Sequence, residues 1–392
     1  MSKQSSSRWL ASHIAEIPRS GIRDFFEMVT AMDDVISLGV GEPDFPTPWG
    51  IREAVIYALE KGHTGYTSNL GLLSLRQTVC DYVAHEFGVQ YCPETECIIT
   101  VGVSEALDLV LRAVLNPGDE VIYHEPCYVS YGPSVVMSHA VPIPVVTREA
   151  DEFSLDPAAL EERITPRTKA LLLNFPNNPT GANLSYVQRQ QIAEMAIKRD
   201  LLVVSDEIYA ELTYGERCRS VAAFPEMKSR TVLLHGCSKA YAMTGFRIGY
   251  ACGPADIIDA MMKIHQYSIL CASIVAQEGA IEALRNGRRE MEAMREEYRQ
   301  RRNVIVRRFR EMGLSCANPE GAFYTFPNIS TTGLGSEEFA RRLLSEEKVA
   351  VVPGTAFGGD ADRFVRCSYA TSMANIEEAT ARISRFVQRL GN

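Results

Sequence analysis

The sequence predicts an α/β protein with a mostly parallel, doubly wound central sheet and a second, smaller α+β domain. Three apolar runs rich in β-forming residues lead to polar residues, at Asn178, Asp206 and Lys239. Spacers of helical length separate the three runs, and strands that alternate with helices indicate a parallel sheet. Open sheets of this type bind ligands at the carboxyl ends of their strands. We therefore expect a functional site at that edge of the sheet.

Length and composition narrow the possible classes of function. The chain has 392 residues, 46% of them hydrophobic, which is enough for two domains and a large core. A net charge of −9 argues against a general nucleic-acid binder. No apolar run approaches the length of a membrane span, and the first ten residues, MSKQSSSRWL, lack the apolar core of a signal peptide. No GxGxxG fingerprint is present, which disfavours a nicotinamide enzyme.

Cysteine usage indicates a reducing compartment. The ten cysteines form no CxxC pair and have no companion histidine spacing. We expect them to be reduced packing residues of a cytoplasmic protein, with no metal site and no disulfide framework.

The N-terminal part is predicted to be mostly irregular. Residues 1 to about 35 form a polar tail and a short amphipathic segment around IRDFFEMVTAM. Val35 to Pro48 contains two glycines and three prolines, which predicts a rigid loop. Gly41 in this loop permits a close approach of the backbone to a ligand, although a plain connector remains the alternative. Ile51 to Gly62 has helical spacing and a glycine stop.

The segment from Cys97 to Tyr128 predicts a strand, a tight turn, a helix and another strand. The turn Gly102 to Glu105 opens the helix, and the free N–H groups of a helix N-terminus bind anions. Ser104 also suits the N-cap position of that helix, which would explain it without a ligand. Tyr128 lies two residues after a proline at a strand end, where it could stack on a flat aromatic ligand.

Two buried strands follow, and each leads to a polar cluster. Thr168 to Ser185 is an apolar strand and a sharp turn that contains Asn178, with a helix after it. Leu201 to Tyr214 contains a buried strand that ends at Asp206. A buried carboxylate must find a cationic partner or lose its charge. Tyr209 follows Asp206 at i+3.

The stretch GCSKAYAMTGFRIGY, Gly236 to Tyr250, carries the strongest chemical signal. A lysine in a crevice at the end of a strand is partly desolvated, which lowers its pKa and makes its amine a nucleophile. Ser238 and Arg247 near Lys239 suit a phosphate. A surface lysine on a loop is the alternative interpretation.

The C-terminal third predicts more helices and a second small sheet. PADIIDAMMKIHQYSILCASIVAQEGAIEAL has a helical pattern, and RNGRREMEAMREEYRQRRNVIVRRFREMG predicts a long charged helix. Acids interleave with its arginines, so we expect a solvated helix that links two domains. Arg366 lies in a predicted alternating strand, RFVRCSYA.

In this order, the motifs resemble the class I and II pyridoxal 5'-phosphate (PLP) aminotransferases of fold type I, over about residues 15 to 388. Gly236 to Tyr250 is similar, position for position, to the cofactor-lysine signature of that family. NPTG, SDEIY and the FVR-x-S-[FY] context of Arg366 also match. The resemblance implies an N-terminal arm and active-site loop at 1–48 that packs with the small domain. It also implies a large PLP-binding domain at 49–284 and a small C-terminal domain at 285–392.

The resemblance also assigns roles. It implies catalytic roles for Lys239, which would form a Schiff base with PLP, and for Asp206 and Tyr209. It implies cofactor contacts from Ser104, Glu105, Tyr128, Asn178, Asp206, Tyr209, Ser238, Lys239 and Arg247, and from Tyr66 to the cofactor of the neighbouring subunit of a homodimer. It implies substrate contacts from Gly41, Asn178 and Arg366, which would clamp the α-carboxylate. Because a glutamate repels a phosphate, we expect the Glu105 side chain to point away.

The implied activity is ping-pong transfer of an amino group between an L-amino acid, aromatic or acidic, and a 2-oxo acid such as 2-oxoglutarate. EIPRSGIRDFF and KIHQYSILCAS are similar to a bacterial and archaeal branch that contains aromatic-amino-acid, aspartate and acetyl-diaminopimelate aminotransferases. No single residue marks the side-chain pocket. An acetyl-diaminopimelate aminotransferase, a PLP-dependent C–S lyase on the same fold and a non-catalytic PLP-binding regulatory module stay open as alternatives.

Overall fold

A computed structural model describes residues 9–15, 17, 32, 34–215, 219–358 and 360–390. The amphipathic segment that we predicted around IRDFFEMVTAM lies outside the described residues, apart from its last residue. Among the described helices, none is long and apolar enough to cross a membrane.

A seven-stranded sheet forms the centre of the larger part of the chain, and it is mostly parallel, as predicted. Its strands are β2 (Cys97–Thr100), β3 (Glu120–Glu125), β4 (Val141–Val146), β5 (Thr168–Asn174), β6 (Leu202–Asp206), β7 (Thr231–Gly236) and β8 (Gly249–Cys252). Their order is β2-β8-β7-β6-β5-β3-β4, and only β8 runs antiparallel to its neighbours. Strands β2, β6, β7 and β8 are buried almost throughout, because helices cover both faces of the sheet.

The strand order places the predicted polar residues side by side. Strands β5, β6 and β7 are neighbours in the sheet and parallel. Strand β6 ends at Asp206, β5 ends four residues before Asn178, and β7 ends three residues before Lys239. The three residues therefore lie at one edge of the sheet, at the carboxyl ends of adjacent strands.

Helices connect the strands and surround the sheets. In the described chain they span Ser12–Ala15, Trp49–Glu60, Leu73–Glu86, Gly102–Val114, Tyr131–Met137, Pro157–Glu161, Tyr186–Lys198, Cys237–Ala240, Ala255–Ser268, Ile274–Asn286, Arg288–Glu311, Ser336–Glu347 and Met373–Leu390. Short 3-10 turns lie at Glu149–Asp151, Ala210–Leu212, Val221–Ala223, Lys228–Arg230, Thr244–Phe246, Ser330–Thr332 and Gly354–Phe357. Ser185 begins its helix with a capping box to Gln188, the local signal that sets this boundary.

Two small sheets complete the C-terminal part. Strands β9 (Tyr324–Thr325), β11 (Val352–Pro353) and β12 (Val365–Ser368) form an antiparallel sheet in the order β11-β12-β9. Strand β1 (Ile36–Ser37) pairs in parallel with β10 (Val349–Ala350). The N-terminal segment therefore packs on the C-terminal part before it reaches the large sheet. The division of the chain after residues 48 and 284 stays a prediction.

One helical prediction in the C-terminal third is confirmed, and a second was wrong in part. The pattern from Pro254 to Leu284 forms two helices, because Leu270 adopts a φ of +77°, which no right-handed helix continues. The charged helix Arg288–Glu311 exists, but one face of it is buried in the C-terminal core through residues that include Tyr298, Ile305 and Phe309. Only its opposite face is the solvated, ion-paired surface that we predicted.

Candidate active site

Lys239 lies in the short helix Cys237–Ala240, which directly follows β7. Its Nζ atom donates a hydrogen bond to the carbonyl oxygen of Gly41, at 2.7 Å, and lies 5.9 Å from the centre of the Phe323 ring. Desolvation lowers the pKa of Lys239 to about 8, and the nearby positive charges of Arg366 and Arg247 act in the same direction. The structure therefore places Lys239 in the desolvated position after a strand that the sequence predicted, and its catalytic role stays a prediction.

Asp206 is buried at the end of β6 and is held by two hydrogen bonds. The hydroxyl of Tyr131 donates to its Oδ2 atom at 2.8 Å, and the N–H of Ile208 donates to its Oδ1 atom at 3.1 Å. Burial raises the pKa of Asp206 to about 6, while the two hydrogen bonds oppose that change because they stabilise the carboxylate. A cation beside Asp206 would lower its pKa and restore the charge.

Arg366 and Asn178 meet at the same edge. The guanidinium of Arg366 donates from Nη1 to Asn178 Oδ1 at 2.9 Å and from Nη2 to the carbonyl oxygen of Gly39 at 2.7 Å. Its planar group lies 4.5 Å from the ring centre of Tyr324 and 4.9 Å from that of Phe357. The Nε atom is buried and has no hydrogen-bond partner among the described residues. Aromatic rings on this group fix the plane in which it can bind a carboxylate.

Tyr209 contributes a buried hydroxyl, which lies 3.0 Å from that of Tyr324. Desolvation raises the pKa of both tyrosines, so both hydroxyls are neutral, and either can be the donor of the bond between them. Gly41 passes so close to this pair that a Cβ atom on it would be 2.6 Å from the Tyr324 hydroxyl. A glycine is required there because any side chain would displace Tyr324.

The N-terminus of the helix Gly102–Val114 faces Arg247. Gly102 has a φ of +75°, and a Cβ atom on it would be 2.7 Å from Arg247 Nη2. The cap position belongs to Val101, and Ser104 is the third residue of the helix, so the alternative interpretation of Ser104 as an N-cap was wrong. The helix starts at Gly102, which has a left-handed conformation and lies two residues before Ser104. The Ser104 N–H is therefore one of the free donors of the first turn.

The Glu105 side chain folds back onto the start of its own helix, and our expectation that it points away from a phosphate stays a prediction. Its Oε2 atom accepts a hydrogen bond from the N–H of Val101 at 2.5 Å, and its Oε1 atom lies 2.8 Å from Nδ1 of the buried His265. The carboxylate is therefore held back against the start of its own helix.

The remaining predicted residues differ in their placement. Ser238 is buried next to Lys239, and Tyr128 is half-buried with its ring edge-on to that of Tyr131, 5.7 Å away. Tyr66 is 84% exposed, and none of the contacts described for it joins it to the cluster around Lys239. The structure thus brings together the predicted residues other than Tyr66, which faces solvent.

Sequence reasoning missed four residues that shape the site: Tyr131, Tyr324, His265 and Gly39. Tyr131 follows Tyr128 in YVSYG, and that short spacing was the one local signal for it. Tyr324 and His265 reach the site from distant segments, so only tertiary packing identifies them.

Comparisons with known proteins agree on one family. The family model described as "Aminotransferase class I and II" matches residues 33–383. A putative aminotransferase, YugH, of Bacillus subtilis is 49% identical, with 97% of this chain and 99% of that protein covered. Aromatic-amino-acid aminotransferase 2 of Thermococcus litoralis is 40% identical over 97% of this chain and 98% of its own. The structure of aspartate aminotransferase from Thermus thermophilus with maleate has a TM-score of 0.93 at 38% identity, covering 97% of this chain and 100% of that one.

Proposed function

Because this chain belongs to the class I and II aminotransferases, we propose that it transfers an amino group between an aromatic or acidic L-amino acid and a 2-oxo acid such as 2-oxoglutarate. Amino-group transfer is the activity of the family. The choice of substrates and the roles of individual residues are the proposal. The observation that carries it is Lys239, an amine with a pKa lowered to about 8 that lies within the fields of Arg366, Arg247 and Asp206.

The family uses PLP, and the residues of this site fit it. Gly102 leaves room for Arg247 at a helix N-terminus, which suits a phosphate. Asp206 is a buried carboxylate without a cation among its described hydrogen-bond partners, which suits a protonated ring nitrogen. Residues that would hold the phosphate are Ser104 and Glu105 through their backbone, Ser238 and Arg247; those that would hold the ring are Tyr128, Asn178, Asp206 and Tyr209.

Bound there, PLP would supply an aldehyde that condenses with an amine and a ring that accepts the electron pair released from the substrate's Cα. Lys239 then moves the Cα proton. At pH 7 a pKa of about 8 leaves roughly a tenth of the amine neutral, against about 0.03% at its ordinary pKa. The carbonyl of Gly41 accepts a hydrogen bond from Nζ and so directs the amine toward the loop Gly39–Pro48.

Arg366 is proposed to bind the α-carboxylate of both substrates. It is a planar donor held between Tyr324 and Phe357, and its Nε atom faces no described partner. A carboxylate accepts two parallel hydrogen bonds from such a group. Fixing the carboxylate orients the Cα–H bond toward Lys239, which is the positioning that makes proton transfer fast.

A homodimer is proposed as the working assembly, with Tyr66 reaching the partner's site. Exposed apolar side chains are frequent in three segments that contact one another: Trp49, Ile56, Tyr57, Leu59, Tyr66, Tyr267, Ile269 and Leu270. The segments that carry them are joined, since Asn69 donates to the carbonyl of Leu270 at 2.7 Å and the helix Trp49–Glu60 packs on Ile274–Asn286. An apolar patch of this kind supports burial against a second copy.

A cytoplasmic location is also part of the proposal. The nine cysteines in the described ranges are all free thiols. Free thiols suit a reducing compartment.

A single-turnover experiment tests the proposal. The PLP-loaded enzyme is mixed with one amino acid at a time, without acceptor, and the 2-oxo acid and ammonia formed are measured. An aminotransferase forms one 2-oxo acid per active site and no ammonia, and the fastest donors identify the substrate class. Continuous release of pyruvate and ammonia from cysteine conjugates would favour the lyase instead. Undiminished turnover by Lys239→Ala would refute the assigned role of Lys239.

A further inference from the structure

We propose that Asp44 and Arg301 form a latch that holds the loop Gly39–Pro48 against Lys239 and Arg366. Asp44 would then be a positioning residue for catalysis, although it touches neither the reacting lysine nor the carboxylate-binding arginine. This inference rests on the roles proposed above for Lys239 and Arg366.

The latch is an ion pair between a buried arginine and a partly exposed carboxylate, whose side chain is 26% exposed. Arg301 Nη1 lies 2.8 Å from Oδ1 and 2.9 Å from Oδ2 of Asp44, and only 6% of the Arg301 side chain is exposed. The Tyr298 hydroxyl approaches Asp44 Oδ1 at 3.5 Å. The guanidinium also lies over the rings of Phe45, at 5.0 Å, and Tyr298, at 5.6 Å. Two consecutive loop residues therefore contact the buried Arg301, Asp44 through its carboxylate and Phe45 through its ring.

The same loop supplies the backbone groups that contact both catalytic cations. The Gly41 carbonyl accepts from Lys239 Nζ, and the Gly39 carbonyl accepts from Arg366 Nη2, each at 2.7 Å. These two carbonyls lie three and five residues from Asp44. A shift of the loop would therefore change the surroundings of the amine and the arginine together.

The side chains of the loop make few other hydrogen bonds. Among the described contacts, the side chains of its residues make one hydrogen bond from Thr47 to the Ala242 carbonyl, at 2.5 Å, and one from Thr244 to Glu42, at 3.2 Å. Both lead to the segment that carries Lys239. Asp44 instead joins the loop to the helix Arg288–Glu311, whose buried face belongs to the C-terminal core. The latch therefore sets the position of the loop between the segment that carries Lys239 and the C-terminal core.

Variants of each partner test the latch. Asp44→Asn keeps the size of the side chain but removes its charge, and Arg301→Met removes the cation. The control is Glu297→Gln, because Glu297 is the other carboxylate partner of Arg301, at 3.1 Å, and lies on the arginine's own helix. We expect the latch variants to raise the KM of the amino donor by about 10- to 100-fold in the holoenzyme, with a smaller change in kcat. Glu297→Gln should leave KM unchanged.

Hydrogen exchange of the apoprotein gives a second readout that does not depend on the cofactor. Amides of residues 38–48 should exchange faster in Asp44→Asn than in the wild type, while those of Glu297→Gln should not. The double variant Asp44→Asn/Arg301→Met should have a KM and an exchange rate no higher than those of the more affected single variant, because the two residues act through one contact. Arg301→Lys keeps the charge and gives a milder test if the stronger variants unfold.

Unchanged KM together with unchanged exchange in a folded Asp44→Asn variant would overturn the proposal. The proposal would also be overturned if the increase in KM of the double variant equalled the product of the increases in the two single variants. Failure of the proposed function has a different signature, since turnover would then survive Lys239→Ala whatever the loop does.

Discussion

Removing the hydroxyl of Tyr131 should reveal how the protein keeps Asp206 charged. Tyr131→Phe deletes the donor that lies 2.8 Å from Asp206 Oδ2 and keeps the buried ring. A hydrogen bond to a charged group contributes about 1.5–3 kcal/mol, and one pKa unit corresponds to about 1.4 kcal/mol. We therefore expect the substitution to raise the pKa of Asp206 by about 1 to 2 above its value of about 6.

The sign of the pH dependence follows from the direction of that change. Burial raises the folded-state pKa of Asp206 from 3.8 to about 6, so the folded protein binds this proton more tightly than the unfolded chain. The contribution of Asp206 to stability is therefore greatest below about pH 4 and falls as the pH rises to about 6, above which it stays constant. Tyr131→Phe extends this loss to higher pH, so the variant should be destabilised more at about pH 8 than at about pH 5.

Urea unfolding of the apoprotein measures this difference. We expect Tyr131→Phe to lower the free energy of unfolding by about 1.5–3 kcal/mol at about pH 8 and by clearly less at about pH 5. Asp206→Asn is the matched background, because its amide cannot ionise, and there the pH dependence of the Tyr131→Phe effect should vanish. An equal loss at both pH values, or an unchanged pH dependence in the Asn background, would refute the reasoning.

Three further predictions concern the anion sites. Arg366→Lys should raise the KM of the amino donor by about 100-fold, because a lysine cannot form two parallel hydrogen bonds to a carboxylate; an unchanged KM in the half-reaction would exclude that role. Gly102→Ala should lower the free energy of unfolding, measured by heat or urea, by about 1–3 kcal/mol, because the φ of this residue is +75°. It should also weaken PLP binding in equilibrium dialysis, because the added Cβ would crowd Arg247. His265→Ala should weaken PLP binding by releasing Glu105 toward the phosphate, and Glu105→Gln in the same chain should restore it. Failure of that rescue would show that the histidine acts only on packing.

Local patterns were sufficient to predict the central sheet and much of the site. Apolar runs separated by helix-length spacers predicted parallel strands, and the carboxyl ends of adjacent parallel strands must meet at one edge. For that reason the order of residues along the chain was enough to place Asn178, Asp206 and Lys239 together. The match of Gly236 to Tyr250 with a family signature then predicted the chemistry, and the comparisons confirm the family.

Local sequence patterns did not predict contacts between residues that are far apart in the chain. Tyr131 lies 75 residues from Asp206 and Asp44 lies 257 residues from Arg301, and no periodicity relates residues so far apart. The start of the helix at Gly102 depends on a positive φ, and Arg247 leaves no room for a side chain at this position.

The sequence by itself indicated most of the elements that form and the residues for which we propose chemical roles, because periodicity and residue type act over a few neighbouring positions. Tertiary structure alone decided which partners those residues meet. The helix Arg288–Glu311 shows the difference: its charges predicted a solvated helix, yet the C-terminal core buries the face that includes Tyr298 and Arg301. Burial of a face is settled by what packs against it, and that partner is distant in the chain.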